Sequence, residues 1–276
     1  MIWKTRHHTL DLRGDAVVMG ILNATPDSFS DGGKYSYTHD ALKRALEMVE
    51  QGAKIIDIGG ESTRPGAKPV GAVEEIARTV PIIRELKKRS EVLISIDTSK
   101  AAVAEAAVDA GADIVNDVTG LRDENMIQLC ASAGVGVCVM HMQGEPRTMQ
   151  ENPCYVNEGG VLPAIQAFFV ERLSSLKSSG INTDCICFDP GIGFGKSYED
   201  NLELLRGLGE MQASRPVLLG VSRKSVIGQL TGEDDPVQRD RATAVITALA
   251  YKKGIQLHRV HDVKTVVEAI RIAQSI

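Results

Sequence analysis

The chain repeats one pattern eight times, and this repetition constrains its fold more than any single motif. A short apolar, β-branched run ends in a polar residue, a loop follows, and a helical pattern comes next. The runs are "AVVMGILN" from Ala16, "KIIDIGG" from Lys54, "VLISIDT" from Val92, "DIVNDV" from Asp113, "VGVCVMH" from Val135, "DCICFD" from Asp184, "PVLLGVS" from Pro216 and "LHRVHD" from Leu257. Short apolar strands alternating with helices imply a parallel sheet covered by helices. Eight such units predict a closed (β/α)8 barrel of the TIM type, and 276 residues is an ordinary length for one. The expectation is a single α/β domain over 1–276, with "WKTRHHTLDL" near the N-terminus forming a short hairpin that plugs the barrel's N-terminal end. Helices should stop at Gly52, Gly111, Gly134, Gly180 and Gly254, since glycine tolerates the left-handed turn that ends a helix.

Bulk properties narrow the function classes. The net charge is −5, which argues against wrapping a nucleic-acid backbone, so any anion site must be a local cluster of cations. No apolar run is long enough for a membrane span, and the first residues lack the apolar core of a signal peptide. The five cysteines are odd in number and contain no CxxC pair, so they read as buried reduced thiols in a reducing compartment, with Cys185 and Cys187 on one face of a strand. A cytoplasmic enzyme is expected.

The stretch "CFDPGIGFGKS", Cys187–Ser197, looks like a phosphate loop, but the spacing fails. Counting back from Gly195-Lys196-Ser197 puts Pro190 where a P-loop requires glycine, and Gly191, Gly193 and Gly195 are too evenly spaced for a dinucleotide fingerprint. The glycines then read as close-approach positions, and Asp189, which ends the preceding strand, becomes the group of interest.

In barrels the active site gathers at the C-terminal strand ends. The polar residues there are Asn23, Asp57, Asp97, Asn116 and Asp117, Met140 with His141, Asp189, Arg223 with Lys224, and Arg259 with His261. Each alone reads equally well as a helix cap, but a common rim of amides, carboxylates and cations calls for a ligand. Asp97, Asn116, Asp189 and Lys224 offer two carboxylates, an amide and a cation, which suit a flat 2-amino-4-oxo pyrimidine ring. Phe194 and Met140 could flank that ring. Arg259 and His261 share a face of the eighth strand and, with Arg64 and Asn23, suit a diphosphate; the Asn23 amide oxygen could also help hold Mg²⁺. The loops after the first two strands are long and rich in Gly and Pro, and Phe29 and Pro65 give them apolar tips that could close over an aromatic second substrate.

"GILNATPDSFSDGGK", "IDIGGESTRPGA", "SIDTSK", "IVNDVTG", "FDPGIGFGK", "GVSRKSVIG" and "RVHDV" closely resemble, in order, the motifs of the dihydropteroate synthase family. The resemblance covers nearly the whole chain; Ala24 and Val226 depart from the familiar residues, and neither carries chemistry. It implies a (β/α)8 enzyme of folate biosynthesis that joins 6-hydroxymethyl-7,8-dihydropterin diphosphate to p-aminobenzoate and releases diphosphate. It further implies that Asp97, Asn116, Met140, Asp189, Phe194 and Lys224 hold the pterin, with Asp97, Asp189 and Lys224 closest to the chemistry. Asn23, Arg64, Arg259 and His261 would hold the diphosphate with Mg²⁺, and Phe29, Thr63, Pro65, Arg223 and Ser225 would frame p-aminobenzoate. Such enzymes are usually homodimers, and the late helices are the candidate interface. The rivals are a pterin-binding methyltransferase domain, which should lack the diphosphate cluster, and a non-catalytic pterin-binding protein.

Overall fold

The computed structural model describes residues 1–25, 33–62, 67–145, 148–211 and 214–276. A hairpin of β1 (Ile2–Lys4) and β2 (Thr9–Asp11) precedes eight parallel strands. These are β3 (Val17–Asn23), β4 (Ile55–Gly59), β5 (Leu93–Asp97), β6 (Ile114–Asp117), β7 (Gly136–Met140), β8 (Ile186–Asp189), β9 (Leu218–Leu219) and β10 (Leu257–Val260). Strands β3 to β8 pair with their neighbours in chain order, and β10 pairs with both β3 and β9. The remaining seam is bridged between Phe188 and Val217, where the Phe188 N–H donates to the Pro216 carbonyl over 2.9 Å. The sheet therefore closes on itself, as the eight-unit pattern predicts.

Side-chain alternation sorts each strand into an inward and an outward set. The outward set, including Ile56, Ile94 and Val115, forms the main core against the helices. At the N-terminal end the inward set, including Met19, Ile55, Cys138 and Leu257, makes a second core closed off by Trp3 and Leu12. Trp3 is 0% exposed, and its indole N–H donates to the Cys185 carbonyl over 2.8 Å, so the bulky ring is buried with its polar atom satisfied. The hairpin is thus the expected plug. Truncating Trp3 to Ala should cost about 3–5 kcal/mol, the usual range for a buried aromatic.

The helices described are α1 (Gly33–Glu50), α2 (Ala72–Lys87), α3 (Ala101–Ala110), α4 (Glu124–Ala133), α5 (Val161–Ser178), α6 (Tyr198–Arg206), α7 (Ser225–Thr231), α8 (Asp240–Lys252) and α9 (Val263–Ser275). All five glycines expected to end helices have positive φ. Helix α6 begins with a capping box: Ser197 Oγ accepts from the Asp200 N–H at 3.1 Å, and Asp200 Oδ2 accepts from the Ser197 N–H at 2.8 Å. Ser197 is therefore a cap, which accounts for the serine that made the stretch resemble a phosphate loop.

The cysteines differ in part from expectation. Cys130, Cys138, Cys185 and Cys187 are buried thiols, whereas Cys154 is exposed. Cys185 closes the short turn Thr183–Cys185 just before β8, so it does not share a strand face with Cys187.

Candidate active site

The C-terminal ends of the strands gather four polar side chains into one network. Asp57 lies within β4 on the inward parity of Ile55 and is 0% exposed. Arg259, reaching in from β10, donates Nε–H to Asp57 Oδ2 over 2.6 Å and Nη2–H to Asp97 Oδ2 over 2.6 Å. Asn116 donates its amide N–H to the same Asp57 oxygen over 3.1 Å, and in register it pairs with Asp97 across β5 and β6. Asp57 is an acceptor only, so it commits the nitrogen end of the Asn116 amide and leaves the carbonyl oxygen for an N–H donor. Burial pushes the Asp97 carboxyl up to about 7, against the pull of Arg259. Burial also disfavours the Arg259 cation, but Asp57 and Asp97 outweigh it and hold its pKa above the usual value. The sequence pattern assigned Asp97 to the ring group and Arg259 to the anion group. The structure joins them in one network.

Asp189 ends β8 and is 5% exposed, and its burial raises its pKa. Its Oδ1 accepts from the Gly191 N–H over 2.7 Å. A Cβ placed on Gly220 would stand 3.3 Å from Asp189 Oδ2, so glycine there keeps the second oxygen uncrowded. Lys224, the residue before α7, places Nζ 4.7 Å from the Phe194 ring centroid and donates to the Ile192 carbonyl. Burial lowers its pKa to about 8.

The glycine loop explains its own composition. Gly191 has φ 68°, and a Cβ there would lie 1.9 Å from the His141 carbonyl oxygen. Gly195 has φ 60°, and a Cβ would lie 2.3 Å from the Gln143 carbonyl oxygen. The loop after β8 thus lies directly on the segment leaving β7. Phe194 packs on Val118, Met140, Met142 and Met149, so the two residues expected to flank a ring belong to one apolar cluster. Lys196, which the failed phosphate-loop spacing had left without a role, is 2% exposed. Its Nζ lies 2.9 Å from the Phe194 carbonyl, 3.4 Å from the His141 carbonyl and 3.0 Å from His141 Nδ1. Burial pulls the Lys196 pKa down to about 7 and that of His141 to about 3.

On the other side of the mouth, Asn23 ends β3, half-buried and in register with Gly59. His261 follows β10; its Nδ1 lies 3.0 Å from Ser222 Oγ, and its backbone N–H donates to the same hydroxyl over 3.2 Å. Arg223 has φ 61°, a left-handed backbone, and its guanidinium is closed into a bidentate pair with Asp240 of α8 at 2.8 and 2.6 Å. Its fork is thereby held by α8, whereas the sequence reading gave it to p-aminobenzoate. Ser225 is exposed at the start of α7, beside a cavity of about 250 Å³ also bordered by Gln150, Gly193 and Gln229. Phe29, Thr63, Arg64 and Pro65 lie outside the described residues. The base of the second loop is tied by Glu61, which accepts from the Val70 N–H at 2.9 Å and pairs with Lys100. Among the described residues no group of three or more His, Cys, Asp or Glu side chains forms a metal cluster. Asn23 is a single oxygen donor, which fits an ion that keeps its waters and shares substrate phosphates.

The family described as pterin-binding enzyme matches residues 19–261. The dihydropteroate synthase of Escherichia coli (strain K12) is 44% identical over 261 residues, covering 94% of this chain and 90% of its own. The chain belongs to the dihydropteroate synthase family. The Yersinia pestis dihydropteroate synthase, solved in a complex with a sulfonamide drug, matches with a TM-score of 0.92 at 43% identity, over 100% of this chain and 98% of that one. That of Xanthomonas albilineans, solved with 4-aminobenzoic acid, matches with a TM-score of 0.91 at 40% identity, over 99% and 97%.

In this member of the dihydropteroate synthase family, motif reading placed Asp57 on the rim without a role and assigned none to Lys196, Ser222 or Asp240. Asp57 was visible as a strand-end acid, and its parity with Ile55 was the signal that it points into the barrel. Nothing local in the sequence marks Asp240 as the partner of Arg223 or Ser222 as the partner of His261, because each pair is brought together by the packing of separate elements.

Proposed function

We propose that the chain joins 6-hydroxymethyl-7,8-dihydropterin diphosphate to p-aminobenzoate, forming 7,8-dihydropteroate and releasing diphosphate. The observation that carries this reading is the buried Asp189 carboxylate acting on the Lys224 cation, with buried Asn116 on the same ring of strand ends, in a chain of the dihydropteroate synthase family. The Asp189 carboxylate would accept from the ring N–H and the exocyclic amine, Asn116 would accept through its carbonyl oxygen, and Lys224 would donate to the ring carbonyl. Phe194 and Met140 would supply apolar contact.

The reaction breaks the C–O bond at the pterin methylene, and the electron pair leaves with diphosphate. Positive charge spreads into the ring and is stabilised by Asp97. The p-aminobenzoate nitrogen forms the new C–N bond and, once bonded, loses its proton to solvent. Arg259 has donors beyond the two that Asp57 and Asp97 engage, so its fork can also meet a phosphate oxygen. Asn23, Arg64 and His261 would complete the diphosphate site. Bound Mg²⁺, with Asn23 as a protein oxygen, would neutralise charge on the leaving diphosphate. Ser225 and the stem and backbone of Arg223, whose guanidinium stays on Asp240, would frame p-aminobenzoate with Phe29, Thr63 and Pro65; its carboxylate suits the N–H groups at the start of α7.

A pterin-binding methyltransferase would not need cations aimed at a diphosphate, and Arg259 with His261 at the mouth weighs against it. Incubating the protein with the pterin diphosphate and p-aminobenzoate tests the proposal. Stoichiometric diphosphate and dihydropteroate are expected, and pterin binding without diphosphate release would overturn it. For assembly we propose a homodimer through α8 and α9, where Val245, Leu249 and Ile272 are exposed apolar residues. Sedimentation of only monomer at micromolar concentration would contradict it. Among the described residues no helix is long and apolar enough to cross a membrane.

A further inference from the structure

We propose that Lys196 is a positioning residue for the pterin ring: its buried amine pins the loop carrying Phe194 to the strand end carrying Met140, and so sets the slot the ring enters. The inference rests on the pterin reading above. Lysine is rarely buried unless it is paired with an acid, because taking an ammonium out of water is costly. Yet Lys196 is 2% exposed, and among the described residues its hydrogen-bond partners are two carbonyls and an imidazole nitrogen. An apolar residue could fill the same volume at lower cost. What the amine adds is three hydrogen bonds that reach two separate segments.

Those segments carry the apolar contacts of the site. One bond goes to the carbonyl of Phe194 itself, and the other two go to His141, the residue after Met140. Gly191 and Gly195 bring the same two segments into backbone contact, so the pin closes an interface that the glycines make possible. The outer side of the loop is held separately. The Tyr155 hydroxyl donates to the Gly195 carbonyl at 2.7 Å, and the Gln150 amide donates to the Gly193 carbonyl. Lys196 is the inner anchor, next to the ring.

The pin also survives a change of protonation. His141 stays neutral because burial and the nearby cations of Lys196 and Arg122 oppose its charging. A charged Lys196 therefore donates to the Nδ1 lone pair and to both carbonyls. If the amine loses a proton, the imidazole can carry its hydrogen on Nδ1 and donate to the amine, while the two remaining N–H groups keep the carbonyls. Asp189, Lys224 and Asp200 are the other charged groups acting on this amine.

A double-mutant cycle on the full chain tests the inference, with 6-hydroxymethylpterin as the calorimetric probe. Lys196→Met keeps the stem and removes the donors, and Phe194→Ala removes the ring that the pin positions. Each single change should weaken pterin binding about tenfold, the scale of lost hydrogen bonds or lost ring contact. The double variant should bind no more weakly than Phe194→Ala alone, because an unpinned loop without its ring has nothing left to misplace. Losses that multiply, or wild-type affinity in Lys196→Met, would overturn the inference. If Lys196→Met does not fold, His141→Phe removes one partner of the amine and keeps the ring's shape. It should show the same non-additivity with Phe194→Ala, and additivity would overturn the proposal. Wild-type protein that fails to bind the pterin at all removes the proposed function and this inference together. Wild-type binding with an unaffected Lys196→Met removes only the inference.

Discussion

Arg259 donates its Nε–H to Asp57 Oδ2 over 2.6 Å, linking β10 to β4 across the intervening β3. The contact places a cation and a carboxylate inside the barrel, where neither can be left alone. Asp57→Ala should therefore destabilise the protein by about 3–5 kcal/mol, the cost of stranding a buried charge. It should also free the Asn116 amide, so pterin affinity should fall in the same variant. Chemical denaturation measures the first effect; a change below about 1 kcal/mol would mean that water readily replaces Asp57.

The left-handed backbone of Arg223 gives an unusual ordering of substitutions. Elsewhere alanine is normally better tolerated than glycine, since glycine loses more chain entropy on folding. At φ 61° an alanine retains the steric cost and a glycine does not. Both substitutions lose the Asp240 clamp, so Arg223→Gly should be more stable than Arg223→Ala by about 1 kcal/mol. Thermal melts of the two variants decide it, and the reverse order would show that this turn is not left-handed in solution.

Gly191→Ala should be severe. The added carbon would meet the His141 carbonyl oxygen at 1.9 Å; that oxygen is backbone and a Cβ has no rotation to escape it, so the loop itself has to move. A loss of at least about 2 kcal/mol is expected, together with loss of pterin binding, since Asp189 accepts from the Gly191 N–H. Wild-type stability would contradict the close approach.

Acid sensitivity has an identifiable contributor in His258. It is fully buried on β10, its Nε2 lies 3.0 Å from the Ile255 carbonyl, and burial lowers its pKa to about 4. The sign follows from which state takes up the proton. As pH falls below about 6.5 the unfolded chain protonates this histidine, while the folded one resists until about 4. The native state therefore loses up to about 3 kcal/mol across that window and none of it above neutrality. His258→Gln should lack this component, so its stability relative to wild type should improve steadily as pH falls from 7 to 4. A difference independent of pH would show that His258 titrates normally in the folded protein.

The barrel was legible because its signal is periodic: eight apolar runs, each ending in a polar residue, have few other ways to bury themselves. The rim was legible at the level of residues, since strand-end position brought forward Asp97, Asn116, Asp189, Lys224 and Arg259. Side-chain direction was less legible. Asp117 adjoins Asn116 but has the opposite parity, and its carboxylate accepts from the backbone of Thr119 and Leu121, which makes it a loop cap. Arg223 adjoins Lys224, and only its left-handed φ and the approach of α8 show that its fork meets Asp240. Lys196 was hidden for a different reason. Its neighbours mimic a nucleotide motif, and its true partners, Phe194 and His141, depend on a contact that the glycines create in three dimensions.

The central claim is that a buried carboxylate at the end of β8 reads the pterin edge, and calorimetry with the pterin on wild type and Asp189→Asn tests it most directly. The substitution keeps shape and volume but can turn a donor toward the ring's own donors. Pterin affinity should fall by about 2–5 kcal/mol, the range for losing a desolvated charged hydrogen bond, while the variant stays folded. Unchanged affinity in a folded Asp189→Asn would make Asp189 a cap for the glycine loop and nothing more, and would contradict the account.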